Sequence, residues 1–294
     1  MPLSLMYITN NPEVALIAEK VGVERIWVDL ETLGKEERQK NLDAVLSNHT
    51  VEDVRAIAKV LTKSELLVRV NPWHIGSADE IEAVIAAGAE RIMLPMWKTP
   101  EEVDAFLKTV NKRVRTTLLL ETKEAAECLD AVLENPLIDE VHIGLNDLHL
   151  SYGLTFLYEP LANGTVESLC KKCSAKGVPF GFGGIAKIGE GLLPAERIVM
   201  EHYRQGSTRV ILSRTFCNAE EVGDQETINQ VFSIEINRLR DYEATLGTVD
   251  AQTYEENKRV VKEMVEQIVQ KIKRLRSNSE YERLTDEKIS GTNG

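Results

Sequence analysis

The sequence predicts an α/β fold, a (β/α)8 TIM barrel with a C-terminal helical extension, on three observations. Short β-branched runs alternate with stretches whose apolar residues recur every three or four positions, and the alternation repeats eight times. The runs are nearly continuously apolar, which suits parallel strands covered by helices rather than a sheet with one wet face. No GxGxxG opens a helix after the first run, so an open dinucleotide-binding sheet is the weaker alternative.

The expected strands are, in order, MYIT (6–9), RIWVDL (25–30), LLVRV (66–70), RIMLPM (91–96), TTLLLE (116–121), EVHIGL (140–145), PFGFGG (179–184) and RVILSR (209–214). Residues 11–22 read as a helix with Asn11 as N-cap, Pro12 at the first helical position and Gly22 as stop. Residues 77–88 repeat the form, with Ser77 as cap, Glu80 three residues on and Gly88 at the end. Thr99-Pro100-Glu101-Glu102 opens a helix over 99–110 with acids in its first turn. Further helices are expected at 50–62, 123–134, 164–176 and 194–205. After Arg214 two helices follow with no strand between them, at 226–245 and 253–276. The second carries Tyr254, Val261, Val265, Ile268, Ile272 and Leu275 at heptad-like spacing, suited to packing on the barrel or on a neighbouring subunit. The layout is therefore a barrel over 1–220, a helical extension over 221–276 and a polar, loosely held tail over 277–294.

With 294 residues, 43% hydrophobic and 28% charged, the chain can bury a large core. Its formal net charge of −12 argues against a general nucleic-acid binder, which needs a basic surface. The start, MPLSLMYITNNPEV, lacks the basic and apolar regions of a secretory signal, and no run approaches the roughly 20 apolar residues of a membrane span. A cytoplasmic protein without membrane partners is expected. The four cysteines make no disulfide scaffold, and the lone Cys170–Cys173 pair reads as ordinary reduced thiols. HYR and YGLTFLYE read as packing segments, and Trp27, Trp73 and Trp97 as wall or core.

In such a barrel the active site lies at the C-terminal ends of the strands. The residues there include Asn10, Asp29, Glu31, Arg69, Asn71, Glu121, Asn146, Asp147, the glycines at 181–184, and Ser213 with Arg214. Glu121 and Asp147 end neighbouring strands, about 4.8 Å apart, and would face a common point. Two close carboxylates repel unless a cation joins them, and oxygen-only ligation favours Mg²⁺ or Mn²⁺. The plainer reading is that each acid caps a helix or pairs with a local Arg or Lys. Arg69 in a buried strand needs an anionic or carbonyl partner: a 2-oxo acid, or a salt bridge to Asp29, Glu31 or Glu121. GFGGIAKIGEG (181–191) offers backbone amides for an anion, with Lys187 or Arg214 as countercharge, or simply permits tight turns.

The segments IWVDLE (26–31), LLVRVNPW (66–73), GAERIMLPM (88–96), LLLETKEA (118–125) and IGLNDLHLSYG (143–153) resemble the HpcH/HpaI aldolase and citrate lyase β-subunit family of pyruvate/phosphoenolpyruvate-binding barrels. The resemblance spans about residues 5–215, and the ET, GxxDL and upstream VR segments are its most specific part. It implies Glu121 and Asp147 as metal ligands and Arg69 as the contact to the substrate's keto group. It also implies that the backbone around Gly144, Leu145 and Asn146 meets the carboxylate. Gly183, Gly184 and Arg214, read from the glycine-rich run and the end of the eighth strand, are further candidate substrate contacts. Thr32 departs from the family, standing where one branch carries a histidine and the other an acid. His49, in SNHT, is then the first candidate base and His74, in NPWHIG, the second, with water oriented by Glu31 as a further route.

The implied activity is divalent-metal-dependent aldol cleavage of a 4-hydroxy-2-oxo acid to pyruvate and an aldehyde, in a homo-oligomer. The alternatives are a citrate-lyase- or malyl-CoA-lyase-like enzyme acting on an acyl thioester, and a barrel without catalysis that serves as a binding or scaffold subunit.

Overall fold

The structure is a computed structural model that describes residues 1–34, 49–213 and 216–290. All eight expected strands form: β1 (Ser4–Ile8), β2 (Arg25–Asp29), β3 (Glu65–Arg69), β4 (Arg91–Leu94), β5 (Arg115–Leu120), β6 (Val141–Ile143), a seventh in two pieces, β7 (Phe180–Phe182) and β8 (Gly184–Ile185), and β9 (Arg209–Leu212). Every pairing is parallel, in the order β7-β6-β5-β4-β3-β2-β1-β9-β8. The two ends of that order are halves of one strand parted at Gly183. β7 pairs with β6 and β8 with β9, so the parallel sheet closes on itself as a barrel.

The period of two along each strand sorts the interior into layers. Arg25-x-Trp27-x-Asp29, Glu65-x-Leu67-x-Arg69 and Thr117-x-Leu119-x-Glu121 repeat one plan, polar, apolar, polar, and Arg91-x-Met93 shares its first two steps. The middle layer is a small apolar cluster of Trp27, Leu67, Met93 and Leu119, flanked by Ile8 and Ile211. The other faces of the strands pack outward on the helices in one continuous core.

The lower layer is ionic. Arg25 forks onto Glu140 at 2.6 and 2.9 Å and reaches Glu65 at 2.7 Å. Arg91 bridges the same two acids at 2.9 and 3.1 Å, and Arg209 also meets Glu140. Burial by itself would raise the Glu140 carboxyl, but Arg209, Arg91 and Arg25 outweigh it and hold it at about 2.

The barrel helices are α1 (Pro12–Lys20), α2 (Val51–Val60), α3 (Ser77–Ala86), α4 (Pro100–Val110), α5 (Lys123–Val132), α6 (Leu145–Ser151), α7 (Glu159–Ala162), α8 (Thr165–Ala175) and α9 (Ala195–Gln205). Asn11 caps α1, accepting from the amides of Glu13 and Val14, and Thr99 with Glu102 forms a capping box on α4. Ser77 does not cap α3 as expected; Gly76 holds that position, because the Ser77 hydroxyl is taken by the His74 amide at 2.9 Å. Glu80 instead turns back to the Asn71 side chain at 2.8 Å, tying the β3–α3 loop.

After a short α10 (Ala219–Val222) come α11 (Gln225–Leu246) and α12 (Ala251–Ser290). Ile228, Phe232, Ile236 and Leu239 of α11, and Val261, Val265 and Val269 of α12, join the barrel's outer core. The backbone of α12 runs to Ser290, beyond residue 276 where its apolar spacing ends. The extra stretch holds many Glu, Lys and Arg residues and meets no helix breaker before Gly291. No helix among the described residues is long and apolar enough to cross a membrane.

Candidate active site

At the C-terminal end of the barrel the upper layer surrounds a cavity of about 420 Å³, within the roughly 300–1,000 Å³ usual for small-ligand sites. Its lining brings together Arg69, Glu121, Gly144, Leu145, Asn146, Asp147, Gly183 and Gly184, all expected from sequence. Arg214 lies outside the described residues.

Arg69 emerges at the end of β3 and forks onto Asp29, at the end of β2, with both bonds at 2.8 Å. Its third nitrogen meets Glu31 at 3.2 Å, and its guanidinium lies 5.0 Å from the Trp27 ring centroid. The salt bridge is therefore formed, and Arg69 lines the cavity as well. Burial works against its charge, but Asp29, Glu31 and Glu121 outweigh burial and push its pKa above the ordinary arginine value. The guanidinium stays charged at any working pH.

Glu121 follows directly on β5 and is buried. One of its oxygens accepts the Met96 amide at 3.1 Å. Met96 has φ of 53°, a left-handed conformation uncommon outside glycine, so the β4–α4 loop is bent at the point where it reaches the carboxylate. The other oxygen faces Gly144, where an added Cβ would come within 2.9 Å of it. Asp147 lies not at a strand end but in the first turn of α6, because β6 stops at Ile143 and Gly144 starts the helix. Its side chain is half-buried and lines the same cavity.

Among the described residues no group of three or more His, Cys, Asp or Glu side chains forms a ready metal cage. Glu121 and Asp147 are hard oxygen donors on one cavity, and Mg²⁺ is commonly held by one or two carboxylates with water and substrate completing the shell. That donor set fits a divalent cation and does not fit zinc in a structural site.

The histidines divide clearly. His49 sits beside the end of β2, where its Nδ1 accepts the Asp29 amide at 3.0 Å. A neutral imidazole then carries its proton on Nε2, so action as a base requires that bond to break. His74 Nδ1 lies between the Pro72 carbonyl and the Ser77 hydroxyl, at 3.1 and 2.9 Å, and serves its own loop. His142 and His202 are fully buried, and burial pulls the pKa of both down, His142 to about 4. His149 Nδ1 lies 3.3 Å from the carbonyl of Leu145 in its own helix.

Gly183 and Gly184 line the cavity, whereas Lys187 turns to Glu190 at 3.8 Å. Cys170 and Cys173 are free, buried thiols, the latter pushed up by burial to about 12. Sequence reasoning missed the opposite wall: Phe156, Leu157 and Tyr158, set aside as packing, line the cavity with Leu192, Leu193 and Ile198. The available signal was the aromatic, aperiodic TFLY stretch directly after the helix that carries Asp147.

A closed parallel barrel with an arginine, two cavity acids and a helix start at its mouth defines a (β/α)8 enzyme-type site. A family model for HpcH/HpaI aldolase/citrate lyase matches residues 3–177, more than half of the chain. The chain belongs to the HpcH/HpaI aldolase/citrate lyase family and is a lyase of that type. Among solved structures, an HpcH/HpaI aldolase from Desulfitobacterium hafniense DCB-2 matches at 16% identity and TM-score 0.60, over 78% of this chain and 93% of that one. The citrate lyase beta subunit from M. tuberculosis, solved with oxaloacetate and magnesium, matches at 16% identity and TM-score 0.54, over 79% and 97%. Tryptophan synthase from M. tuberculosis matches at 14% identity and TM-score 0.55, over 81% and 92%, so likeness at this level speaks for the fold alone. No curated protein matches the chain in sequence.

Proposed function

We propose that this protein cleaves 4-hydroxy-2-oxo acids reversibly to pyruvate and an aldehyde with the help of Mg²⁺ or Mn²⁺. The observation that carries the reading is that Glu121 and Asp147 share one cavity with Arg69. The M. tuberculosis neighbour was solved with oxaloacetate and magnesium, which supports the choice of cation and of a 2-oxo acid.

Glu121 and Asp147 hold the cation. When bound, it supplies positive charge that polarises the 2-oxo group and steadies the charge developing there. Arg69, fixed by Asp29 and Glu31, adds a second, immobile positive charge toward the keto oxygen. The Gly144 amide is already donated to the Leu120 carbonyl at 2.8 Å, which leaves the substrate carboxylate to the amides of Leu145 and Asn146. Glu31, acting through one water, takes the proton of the 4-hydroxyl. The C3–C4 bond then breaks, its electron pair passes to C3 and the keto oxygen as an enolate, and C4 departs as the aldehyde. A proton returned to C3 completes pyruvate, and nothing is oxidised or reduced. His49 is a positioning residue, holding the end of β2 through the Asp29 amide.

The test is proton NMR of pyruvate in D₂O, with and without Mg²⁺ or Mn²⁺, beside an Asp147→Ala control. Metal-dependent loss of the methyl signal, absent in the control, is the expected result. No exchange with either metal sinks the reading.

A further inference from the structure

We propose that the acceptor half of the cavity is built for an uncharged, apolar aldehyde, an alkyl or aryl group rather than a carboxylated or polyhydroxylated one. The inference rests on the lyase reading above and concerns only what lies beyond the pyruvate unit.

The cavity has two unlike walls. On the side of β2, β3, β5 and α6 lie Arg69, Glu121, Asn146 and Asp147. On the side of β8, β9 and α9 the lining is dominated by Phe156, Leu157, Leu192, Leu193, Ile198 and Ile211, with the neutral Ser213 at the end of β9. Leu193, on the loop from β8, and Ile198, in the second turn of α9, are each 1% exposed, so the apolar half reaches inward past the rim toward the covering helix. Leu192 forms an exposed lip at 67%.

No charged side chain among the described residues lines this wall, and its side-chain polar groups are the Ser213 and Tyr158 hydroxyls. The Tyr158 hydroxyl donates to the Gly184 carbonyl at 2.8 Å, so the side chain offers its ring. Lys187 is absent from the lining, and Arg69 is the one cation that lines the cavity among the described residues. A carboxylate carried by the aldehyde would lose its water against this wall and gain no countercharge among the described residues. A methylene would gain burial, worth roughly three- to fourfold in affinity for each one.

In the synthetic direction a proton leaves the pyruvate methyl group, its carbon forms a bond to the aldehyde carbon, and the aldehyde oxygen takes up a proton. The test follows this reaction with Mg²⁺ present, using propanal, butanal, hexanal and benzaldehyde beside glyoxylate, glycolaldehyde and succinic semialdehyde. The expected kcat/KM climbs about threefold per methylene to hexanal, with the charged and hydroxylated aldehydes at least tenfold below it. Leu192→Lys is expected to lower the hexanal to succinic semialdehyde ratio by about tenfold. A flat series, or a preference for succinic semialdehyde, overturns the inference when pyruvate still exchanges its methyl protons. Absence of both exchange and condensation overturns the lyase reading and this inference together.

Discussion

At the N-terminal end of the barrel three buried guanidiniums, Arg25, Arg91 and Arg209, close on Glu65 and Glu140. At the C-terminal end one guanidinium, Arg69, lines the cavity with Glu121 and Asp147 and is backed by the buried Asp29 and Glu31. Both ends use the inward positions of the same strands, and the charge balance is reversed. The lower layer leans positive and binds itself shut, which serves stability. The upper layer leans negative beside an open cavity, which is where the proposed function would seat a cation. Conserving the scaffold and hosting chemistry are thus divided between opposite ends of one cylinder.

The largest expected effect comes from breaking the lower layer. Glu140→Gln leaves three guanidiniums around a neutral amide and should cost about 3–5 kcal/mol in urea unfolding. The same carboxylate sets the acid limit. Its folded value of about 2 lies below the ordinary 4.5, so its contribution is complete above 4.5 and is withdrawn as the pH falls from there through about 2. The parent should therefore lose more stability over that window than Glu140→Gln does, read from unfolding midpoints at each pH.

Gly183→Ala comes next. Gly183 has φ of +53°, and a Cβ there would sit 2.8 Å from Leu145 Cδ1, so a loss of ~1–3 kcal/mol in unfolding free energy, read from urea titration, is expected. Asp29→Asn removes one half of a doubly paired arginine while Glu31 remains, and about 1–2 kcal/mol is expected. The smallest effect on the fold falls to Glu121→Gln, because the amide keeps an acceptor for Met96 and Arg69 keeps Asp29 and Glu31. Its stability should stay within about 1 kcal/mol of the parent, while the rise in Tm expected on adding Mg²⁺ disappears. A Glu121→Gln penalty as large as that of Glu140→Gln would erase the contrast between the two ends.

The strands were legible because each is a mostly apolar run bounded by turn residues, and the upper-layer residues because they stand just where those runs end. The lower layer was not. Arg25, Arg91 and Arg209 each open a strand and read locally as flanking charge; only closure of the sheet brings them to Glu140, 115 residues from Arg25 and 69 from Arg209. Ser77 misled for a similar reason: a serine before an apolar run reads as a cap, and only the folded loop shows its hydroxyl taken by His74. The apolar wall escaped because Phe156 and Leu157 follow no helical or strand period, so nothing in their spacing set them apart from packing.

Gly183 carries a consequence for how such a cylinder can vary. Its amide donates to the Ile143 carbonyl at 2.8 Å while its own carbonyl accepts from the Ile211 amide at 3.4 Å, so one residue ties both neighbours across the seam. The same residue is part of the cavity's lining. Joinery and pocket surface coincide there, and a side chain placed to reshape the pocket would prise the seam. Diversification of this site is steered away from the seam and toward the flanking loops, where Leu157 and the exposed Leu192 line the cavity without tying the seam.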